Sequence, residues 1–296
     1  MSITTQVVIL FAVVLVGVIC RRLGYFTDES IHSTTQLVVN ITLPCTTIMN
    51  MQRAFSMEVL QNFLATLAIS FALILCALLF GLALFKSRPR EKRAVLANLL
   101  GFANCGFMGY PIILAVNPDW MIYAVAYNVA YISLAWTLGV SLFCGRENVT
   151  ARRVLLHPNV VSAAIGIALF CAGITIPDVP AQALTLIGSL TTPLSMLLIG
   201  TRVCGIRLRD FKDKDYHITA ALRLVVLPLL IYVVMRPLPI APSVAATVYL
   251  LTAMPGATMT GMQAELYGGD TTFAARAIAY TTLLSLLSVP VMSLLL

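Results

Sequence analysis

Two glycines and a proline interrupt the apolar sequence Asn104-Cys105-Gly106-Phe107-Met108-Gly109-Tyr110-Pro111. It lies inside an apolar segment long enough to cross a bilayer. A proline within a helix removes a backbone donor and clashes with the preceding turn, and glycine weakens the helix further. Unwound backbone at membrane depth is tolerated only where it is buried in protein or lines a cavity. The stretch therefore predicts a broken membrane helix that shapes an internal site.

The composition of the whole chain agrees with a membrane setting. Of its 296 residues, 59% are hydrophobic and only 10% are charged, whereas a soluble domain carries about 25% charged residues. The net charge of +7 resides in short basic runs between apolar segments, and aromatic side chains do not interleave with them as nucleic-acid binding requires. We therefore expect an all-α polytopic membrane protein whose main solvent is the lipid bilayer, with no nucleic-acid partner.

Apolar segments that predict membrane spans recur along the whole chain. Ten is the count that best fits the pattern, with nine or eleven as the alternatives. The predicted spans are 4–20, 31–52, 57–85, 94–116, 120–144, 158–175, 181–203, 216–235, 241–264 and 272–294.

Basic residues test this division of the chain. Sixteen of the 19 Lys and Arg residues lie in or beside the first, third, fifth, seventh and ninth connections, and only Arg53 and Arg236 lie in the even ones. The remaining cation, Arg223, falls about two turns inside the eighth span, and we expect its guanidinium to extend to the cytoplasmic surface. Because short basic loops stay in the cytoplasm, the bias predicts that both termini lie on the outer side of the membrane.

Prolines divide the chain into two similar halves. Pro44 and Pro193 lie in the second and seventh spans, 149 residues apart, and Pro111 and Pro255 lie in the fourth and ninth, 144 residues apart. A repeat of five spans has an odd number, so its second copy enters the membrane from the opposite side. The pattern predicts an inverted repeat, typical of secondary transporters, made of residues 1–148 and 149–296.

The candidate site lies where the two broken spans meet. Gly109 and Pro111 in the fourth span, and Pro255 and Gly256 in the ninth, would shape the unwound backbone. Helix N-terminal ends present free amides to an anion, while freed carbonyls can hold a cation. The alternative is that both spans are ordinary kinks made for helix packing.

Polar side chains near the break complete the candidate set. The Asn104 amide can donate to and accept from a carboxylate, with an interhelical hydrogen bond as its alternative role. Asn40 and Ser195 could line the facing surfaces of the second and seventh spans, although packing roles are open for both. Glu265, near the cytoplasmic end of the ninth span, would either couple and gate transport or face water.

No enzyme signature accompanies these candidates. The sequence contains no P-loop, GxSxG or HExxH motif. Its seven cysteines are scattered without a CxxC pair, so we expect no zinc site or disulfide framework. The sequence therefore predicts a protein that is not an enzyme and that uses no cofactor.

At these motifs the sequence resembles the auxin efflux carrier family, which includes plant PIN-type carriers and bacterial permeases for malonate and malate. The fourth-span stretch is similar to the N-x-x-x-x-G-x-P signature of that family, and Met254-Pro255-Gly256 is similar to its second crossover. The resemblance implies ten helices with the fourth and ninth crossed beside the substrate. It also implies a scaffold of spans one, two, six and seven, often dimeric, and a moving transport domain of spans three to five and eight to ten.

The resemblance further implies that Asn104, Pro111 and Pro255 contact the substrate or shape its site. The connection 145–157 is short, unlike the long mid-chain loop of the plant carriers, so a bacterial permease of the inner membrane fits better than an auxin carrier. We therefore expect a secondary transporter of small organic anions, either mono- or dicarboxylates, that works by alternating access. A proton or sodium is open as the coupling ion, and the alternatives are a membrane ligand sensor or a channel.

Overall fold

The structure, a computed structural model, describes residues 3–145, 151–204 and 212–295. Within these ranges the chain is helical and forms no strand beyond one isolated bridge between two extended segments. The predicted boundary between residues 148 and 149 lies outside the described residues, as do Arg207 and Arg209 of the basic run in the seventh connection.

We number the helical units α1 to α10 in chain order. Two of them, α4 and α9, are interrupted, and their halves are labelled a and b. A separate short helix, Ala151–Leu155, lies between α5 and α6. The units are α1 Ile3–Arg22, α2 28–50, α3 Met57–Leu84, α4a Arg90–Gly101, α4b Cys105–Val116, α5 Pro118–Cys144, α6 Pro158–Ala172, α7 Asp178–Val203, α8 Lys214–Met235, α9a Pro242–Thr252, α9b Thr258–Tyr267 and α10 Thr271–Ser293.

Five of these helices are long and apolar enough to cross a membrane. They are α3, α5, α7, α8 and α10, with mean hydropathies between 1.4 and 2.8 over their most apolar 18 residues. Shorter apolar helices, including α4b, α6 and α9a, lie among them. Several long apolar helices with polar connections make this a multi-pass membrane protein, as the composition indicates.

Widened π-helical turns precede a proline in three of the described helices. A proline lacks the N–H that would bond to the carbonyl four residues earlier, and its ring clashes with that carbonyl. A π turn relieves the clash by widening the helix at that point. Three such turns stand directly before a proline: Val38–Thr42 before Pro44, Cys105–Gly109 before Pro111, and Leu222–Val226 before Pro228.

One packing group consists of α1, α2, α6 and α7. Its closest contact joins α1 to α7, where Gly17 and Gly200 let the two backbones touch. A Cβ at Gly200 would meet the carbonyl oxygen of Val14, and a Cβ at Gly17 would meet that of Leu197. The α2 helix packs between α6 and the first half of α7. Small residues are what allow membrane helices to approach this closely.

The remaining helices form a second packing group. The α3 helix packs along α4a and α5, and α8 and α9 pack against α10. At one end of this group the Arg88 guanidinium bonds to Asp215 over 2.7 Å, and Lys92 Nζ approaches both Asp215 and Asp213. Burial opposes ionisation of Asp213, but the hydrogen bonds from Lys92 and from a backbone N–H outweigh it and hold the pKa of that carboxyl below its usual value.

Candidate functional site

The two interrupted helices cross through a direct backbone contact. After α4a the chain is non-helical at residues 102–104, and after α9a it is non-helical at residues 255–257. The backbone N–H of Asn104 donates to the carbonyl of Pro255 over 2.8 Å, and that of Ala257 donates to the carbonyl of Phe102 over 3.0 Å. Ala103 and Gly256 face each other across this antiparallel bridge. The bridge satisfies backbone groups that both breaks release, as membrane burial requires.

The position of the first break differs from the predicted stretch. The unwound backbone ends at Asn104, whereas Gly109 closes a π turn and Pro111 lies inside the helix that follows. Pro111 is therefore buried one to two turns beyond the break. The interruption at residues 102–104 is fixed by pairing with residues 255–257, and the widened turn accommodates the proline. In α9 the break includes Pro255 itself.

Four helix ends of two kinds converge at the crossing. The C-terminal ends of α4a and α9a point into it, and the N-terminal ends of α4b and α9b lead away from it. Most residues here are buried, but the first turns of the two second halves are partly exposed, at Gly106 and Phe107 in α4b and at Thr258 and Met259 in α9b. The helix ends that carry positive partial charge are therefore less enclosed than the rest of the crossing.

Asn104 lies at the junction between the bridge and α4b. Its side chain is only 3% exposed, and its Nδ2 makes no hydrogen bond to protein. A buried amide donor without a partner costs about 1–3 kcal/mol, so it calls for a ligand or water. The carbonyl of the same residue accepts from Met108 and Gly109 in the π turn. The backbone of Asn104 is thus held by the bridge and by the π turn, whereas its side-chain amide makes no hydrogen bond to protein.

Arg223 belongs to the crossing, and the expectation that it extends to the cytoplasmic surface is wrong. The side chain is 1% exposed. Its Nε donates to the carbonyl of Met254 over 3.0 Å and its Nη1 to that of Leu100 over 2.7 Å. These carbonyls belong to the ends of α9a and α4a, so the guanidinium finds there the negative partial charge that a cation requires. A cation inside an apolar span is the sequence signal that should have indicated this role.

One nitrogen of the guanidinium is not used in these two hydrogen bonds. Nη2 of Arg223 is buried close to the hydroxyl of Tyr127, and neither atom makes a hydrogen bond of standard length and angle. Tyr127 and Cys105 both lie within electrostatic range of the guanidinium. None of the ion pairs in the described part of the chain involves Arg223. The crossing therefore holds a buried cation whose charge is offset by the carbonyl dipoles of two helix ends and not by an anionic side chain of the described residues.

The two predicted glycines of the site lie where side chains would collide. A Cβ at Gly109 would approach Leu251 Cδ2 within 2.5 Å, and one at Gly256 would approach Leu99 Cδ2 within 2.7 Å. Each of these leucines belongs to the first half of an interrupted helix. Gly109 and Gly256 therefore let the two crossing helices approach each other.

Ser195 and Asn40 occupy different settings. Ser195 is fully buried on α7, the helix that packs against the π turn of α4b, and its Oγ has no hydrogen-bond partner. Asn40 is exposed on α2 and donates to Gln36 one turn earlier over 2.7 Å. The structure thus brings Ser195 to a helix beside the crossing, whereas Asn40 makes no hydrogen bond with it.

Glu265 also lies apart from the bridge. It is exposed in the last turn of α9b, just before Gly268, the glycine that ends the helix. The buried polar residue of this segment is its neighbour Gln263, whose Nε2 donates to the carbonyl of Ala135 over 2.8 Å. Both roles predicted for Glu265 stay predictions.

Comparison with known proteins assigns the chain to a family. The model of the membrane transport protein family matches residues 2–152 and 146–293, which together include both interrupted helices. The chain belongs to this family. It is the auxin efflux carrier family that the crossover motifs indicate, and the protein is accordingly a membrane transporter.

Two archaeal relatives of this membrane transport protein align along nearly their whole length. One is an uncharacterised transporter of Methanocaldococcus jannaschii, 24% identical over 95% of this chain and 94% of its own. The other is an uncharacterised transporter of Methanothermobacter thermautotrophicus, 22% identical over 99% of this chain and 98% of its own. The chain is similar to these transporters from end to end.

Proposed function

We propose that this membrane transport protein is a secondary transporter of small organic anions, with its substrate site at the crossing of α4 and α9. The observation that carries the proposal is the convergence of two helix N-terminal ends with a buried, unpaired Asn104 amide. N-terminal amides and the positive helix dipole both favour an anion, and the amide of Asn104 can donate to a carboxylate. The partly exposed first turns of α4b and α9b give that anion a way in.

We further propose an inverted repeat of two five-helix halves, residues 1–148 and 149–296, as the basis of alternating access. The reciprocal hydrogen bonds of the bridge support it, because each break supplies one donor and one acceptor to the other. Inverted repeats place the substrate at their interface and exchange its access by rocking one group of helices against another.

The two packing groups support a division into scaffold and transport domain. The group of α1, α2, α6 and α7 would be the scaffold, and the group that contains the crossing would move against it. The scaffold would also carry a homodimer contact, as in the family that the sequence resembles. We place the protein in the bacterial inner membrane with both termini on the periplasmic side, an orientation supported by the basic residues of the odd connections.

Purified protein in liposomes tests the proposed function. The expected result is saturable uptake of at least one labelled carboxylate, and exchange of internal for external substrate in counterflow. Imposed proton, sodium and electrical gradients would identify the coupling ion. Binding without exchange would instead indicate a ligand sensor, and flux that does not saturate would indicate a channel. Absence of uptake for every carboxylate in the panel would contradict the proposal.

A further inference from the structure

We propose that Arg223 sets the charge of the crossing so that it selects a monoanion over a dianion. This inference rests on the proposed anion site and narrows its substrate class to monocarboxylates. It assigns to Arg223 the part of a specificity-determining residue, through the charge that it adds and the donor that it keeps free. Four observations carry it: the two carbonyl contacts, the helix-end charges, the missing counter-charge and the unpaired donors.

The two carbonyl contacts place the guanidinium at both negative helix ends at once. Leu100 belongs to the last turn of α4a, and Met254 follows the last turn of α9a. A cation at a helix C-terminal end is stabilised by the carbonyls that the helix leaves unpaired. Arg223 serves two such ends with two different nitrogens. A guanidinium can do this because its donors form a rigid planar fork.

The partial charges of the helix ends, added to the charge of Arg223, give the sign and size of the net charge that the crossing presents to a ligand. Each helix end carries about half an elementary charge, negative at the C-terminal end and positive at the N-terminal end. The two C-terminal ends together therefore offset about one positive charge, which Arg223 supplies. The two N-terminal ends of α4b and α9b are left, and together they amount to about one positive charge. A ligand with a single negative charge would therefore neutralise the net charge of the crossing.

Counter-charges of the protein itself do not alter this balance. The ion pairs of the described residues lie at the helix ends and connections, and none includes Arg223. The residues next to the site are largely apolar, among them Phe107, Met108 and Met259. A second carboxylate on the ligand would lose its hydration here without gaining a second cation, and such burial is costly.

The unpaired donors are sufficient for one carboxylate. Nη2 of Arg223 and Nδ2 of Asn104 are both buried and without a partner, and both side chains are at least nine-tenths buried. The hydroxyl of Tyr127 lies beside the guanidinium and the hydroxyl of Thr252, and it too makes no hydrogen bond of standard length and angle. A carboxylate has two oxygens that accept several hydrogen bonds, so one such group can satisfy these donors.

Paired probes of equal chain length test the selectivity. We would measure the stabilisation of the detergent-purified protein against heat by butyrate and hexanoate, and by succinate and adipate, at a pH where all carboxyls are ionised. The expected result is half-maximal stabilisation at a concentration at least tenfold lower for each monoanion than for its matched dianion. Equal or stronger stabilisation by the dianions would overturn the proposal.

Substitutions then assign the selectivity to Arg223. Arg223→Gln should lower the affinity for butyrate at least tenfold and abolish the preference over succinate, whereas Arg223→Lys should retain a preference. Arg236→Gln is the matched control, since Arg236 is exposed at the far end of the same helix. Unchanged preference in Arg223→Gln would overturn the inference. If Arg223→Gln does not purify as folded protein, Arg223→Lys provides the test. Loss of the monoanion preference in folded Arg223→Lys would then overturn the inference.

The same measurements separate this inference from the proposed function. Nitrate and sulfate serve as a monoanion and a dianion that need not be substrates. If no carboxylate stabilises the protein or enters liposomes, the organic-anion function fails. Arg223-dependent stabilisation by nitrate over sulfate then still supports the charge selectivity, and its absence contradicts it. If carboxylates are carried without a monoanion preference, only the inference about Arg223 fails.

Discussion

Asn104 donates its backbone N–H to the carbonyl of Pro255 over 2.8 Å, while its side-chain amide remains buried and unpaired. Asn104 thus links the two interrupted helices through its backbone and offers a side-chain donor beside that link. The hydrogen bond to Pro255 uses main-chain atoms alone, so it is retained when the side chain is changed. The two parts of Asn104 can therefore be separated by mutation.

Replacement of Asn104 by alanine should impair transport and leave the fold intact. The bridge to Pro255 remains in Asn104→Ala, whereas the free amide is lost. A hydrogen bond to a charged group contributes about 1.5–3 kcal/mol, so we expect the affinity for a carboxylate substrate to fall about 10- to 100-fold. Uptake kinetics in liposomes would measure this, with the melting temperature recorded alongside.

Asn40→Ala is the matched control for that experiment. Asn40 is exposed and bonds only to Gln36 on its own helix. We expect uptake within a factor of two of the unmodified protein. A large loss in Asn40→Ala would restore Asn40 to the substrate site, and unchanged kinetics in Asn104→Ala would leave Asn104 with a packing role.

Gly200→Ala should destabilise the contact between α1 and α7. The new Cβ would meet the carbonyl oxygen of Val14, which is backbone and cannot rotate away. Overpacking of this kind costs about 1–3 kcal/mol, so the melting temperature should fall. Gly106→Ala provides the comparison, since the nearest atom to its Cβ would be Leu43 Cδ1 at 3.8 Å. Equal melting temperatures for the two variants would contradict the predicted close approach.

The stability of the protein should decline between pH 6.5 and pH 4 because of His157. Burial lowers the pKa of this imidazole from 6.5 to about 4, so the folded state keeps it neutral where the unfolded chain takes up a proton. Its contribution is therefore fully present above pH 6.5 and is lost as the pH falls towards 4. By linkage this amounts to at most about 3 kcal/mol.

His157→Gln isolates that contribution. Nδ1 of His157 accepts from the backbone N–H of Asn159 over 3.3 Å at the start of α6, and a glutamine oxygen can accept in its place. The pH dependence of the melting temperature between pH 4 and 6.5 should be shallower in the variant. A slope as steep as that of the unmodified protein would assign the effect to other groups.

Accessibility of single cysteines should reveal the proposed orientation. In a background without the seven native cysteines, Ala54→Cys would lie between α2 and α3, and Ser87→Cys between α3 and α4. Both positions are exposed. A membrane-impermeant maleimide added to intact cells should label Ala54→Cys at once and Ser87→Cys only after permeabilisation. The reverse pattern would show that the termini face the cytoplasm.

Much of the helix arrangement could be predicted from the sequence. Long apolar segments such as 57–85 and 120–144 reappear as α3 and α5 with ends shifted by at most two residues. This succeeds because hydropathy and length are local properties that the bilayer imposes on each segment separately. The break in α4 was harder to place, since residues 102–104 are held in a non-helical conformation by partners about 150 residues further along the chain.

The candidate site could be predicted only where local chemistry indicates it. Glycine and proline identify Gly109 and Pro255 as backbone features, and Asn104 stands out as an amide in an apolar span. A cation inside the apolar span α8 indicates that Arg223 has a special role, but its partners, the carbonyls of Leu100 and Met254, belong to two other helices and cannot be identified from α8 alone. For the same reason Asn40, polar and close to Pro44, resembles a site residue in sequence although it is exposed.

The bridge at the crossing has a consequence for biosynthesis. When α4 first enters the membrane, the carbonyl of Phe102 and the N–H of Asn104 have no partners, because residues 255–257 have not yet been translated. Exposed to lipid, these groups would cost several kcal/mol, so α4 must be shielded by neighbouring helices, or by the insertion machinery, until α9 arrives. The first half of the chain can therefore be inserted early but matures only when the second half is made.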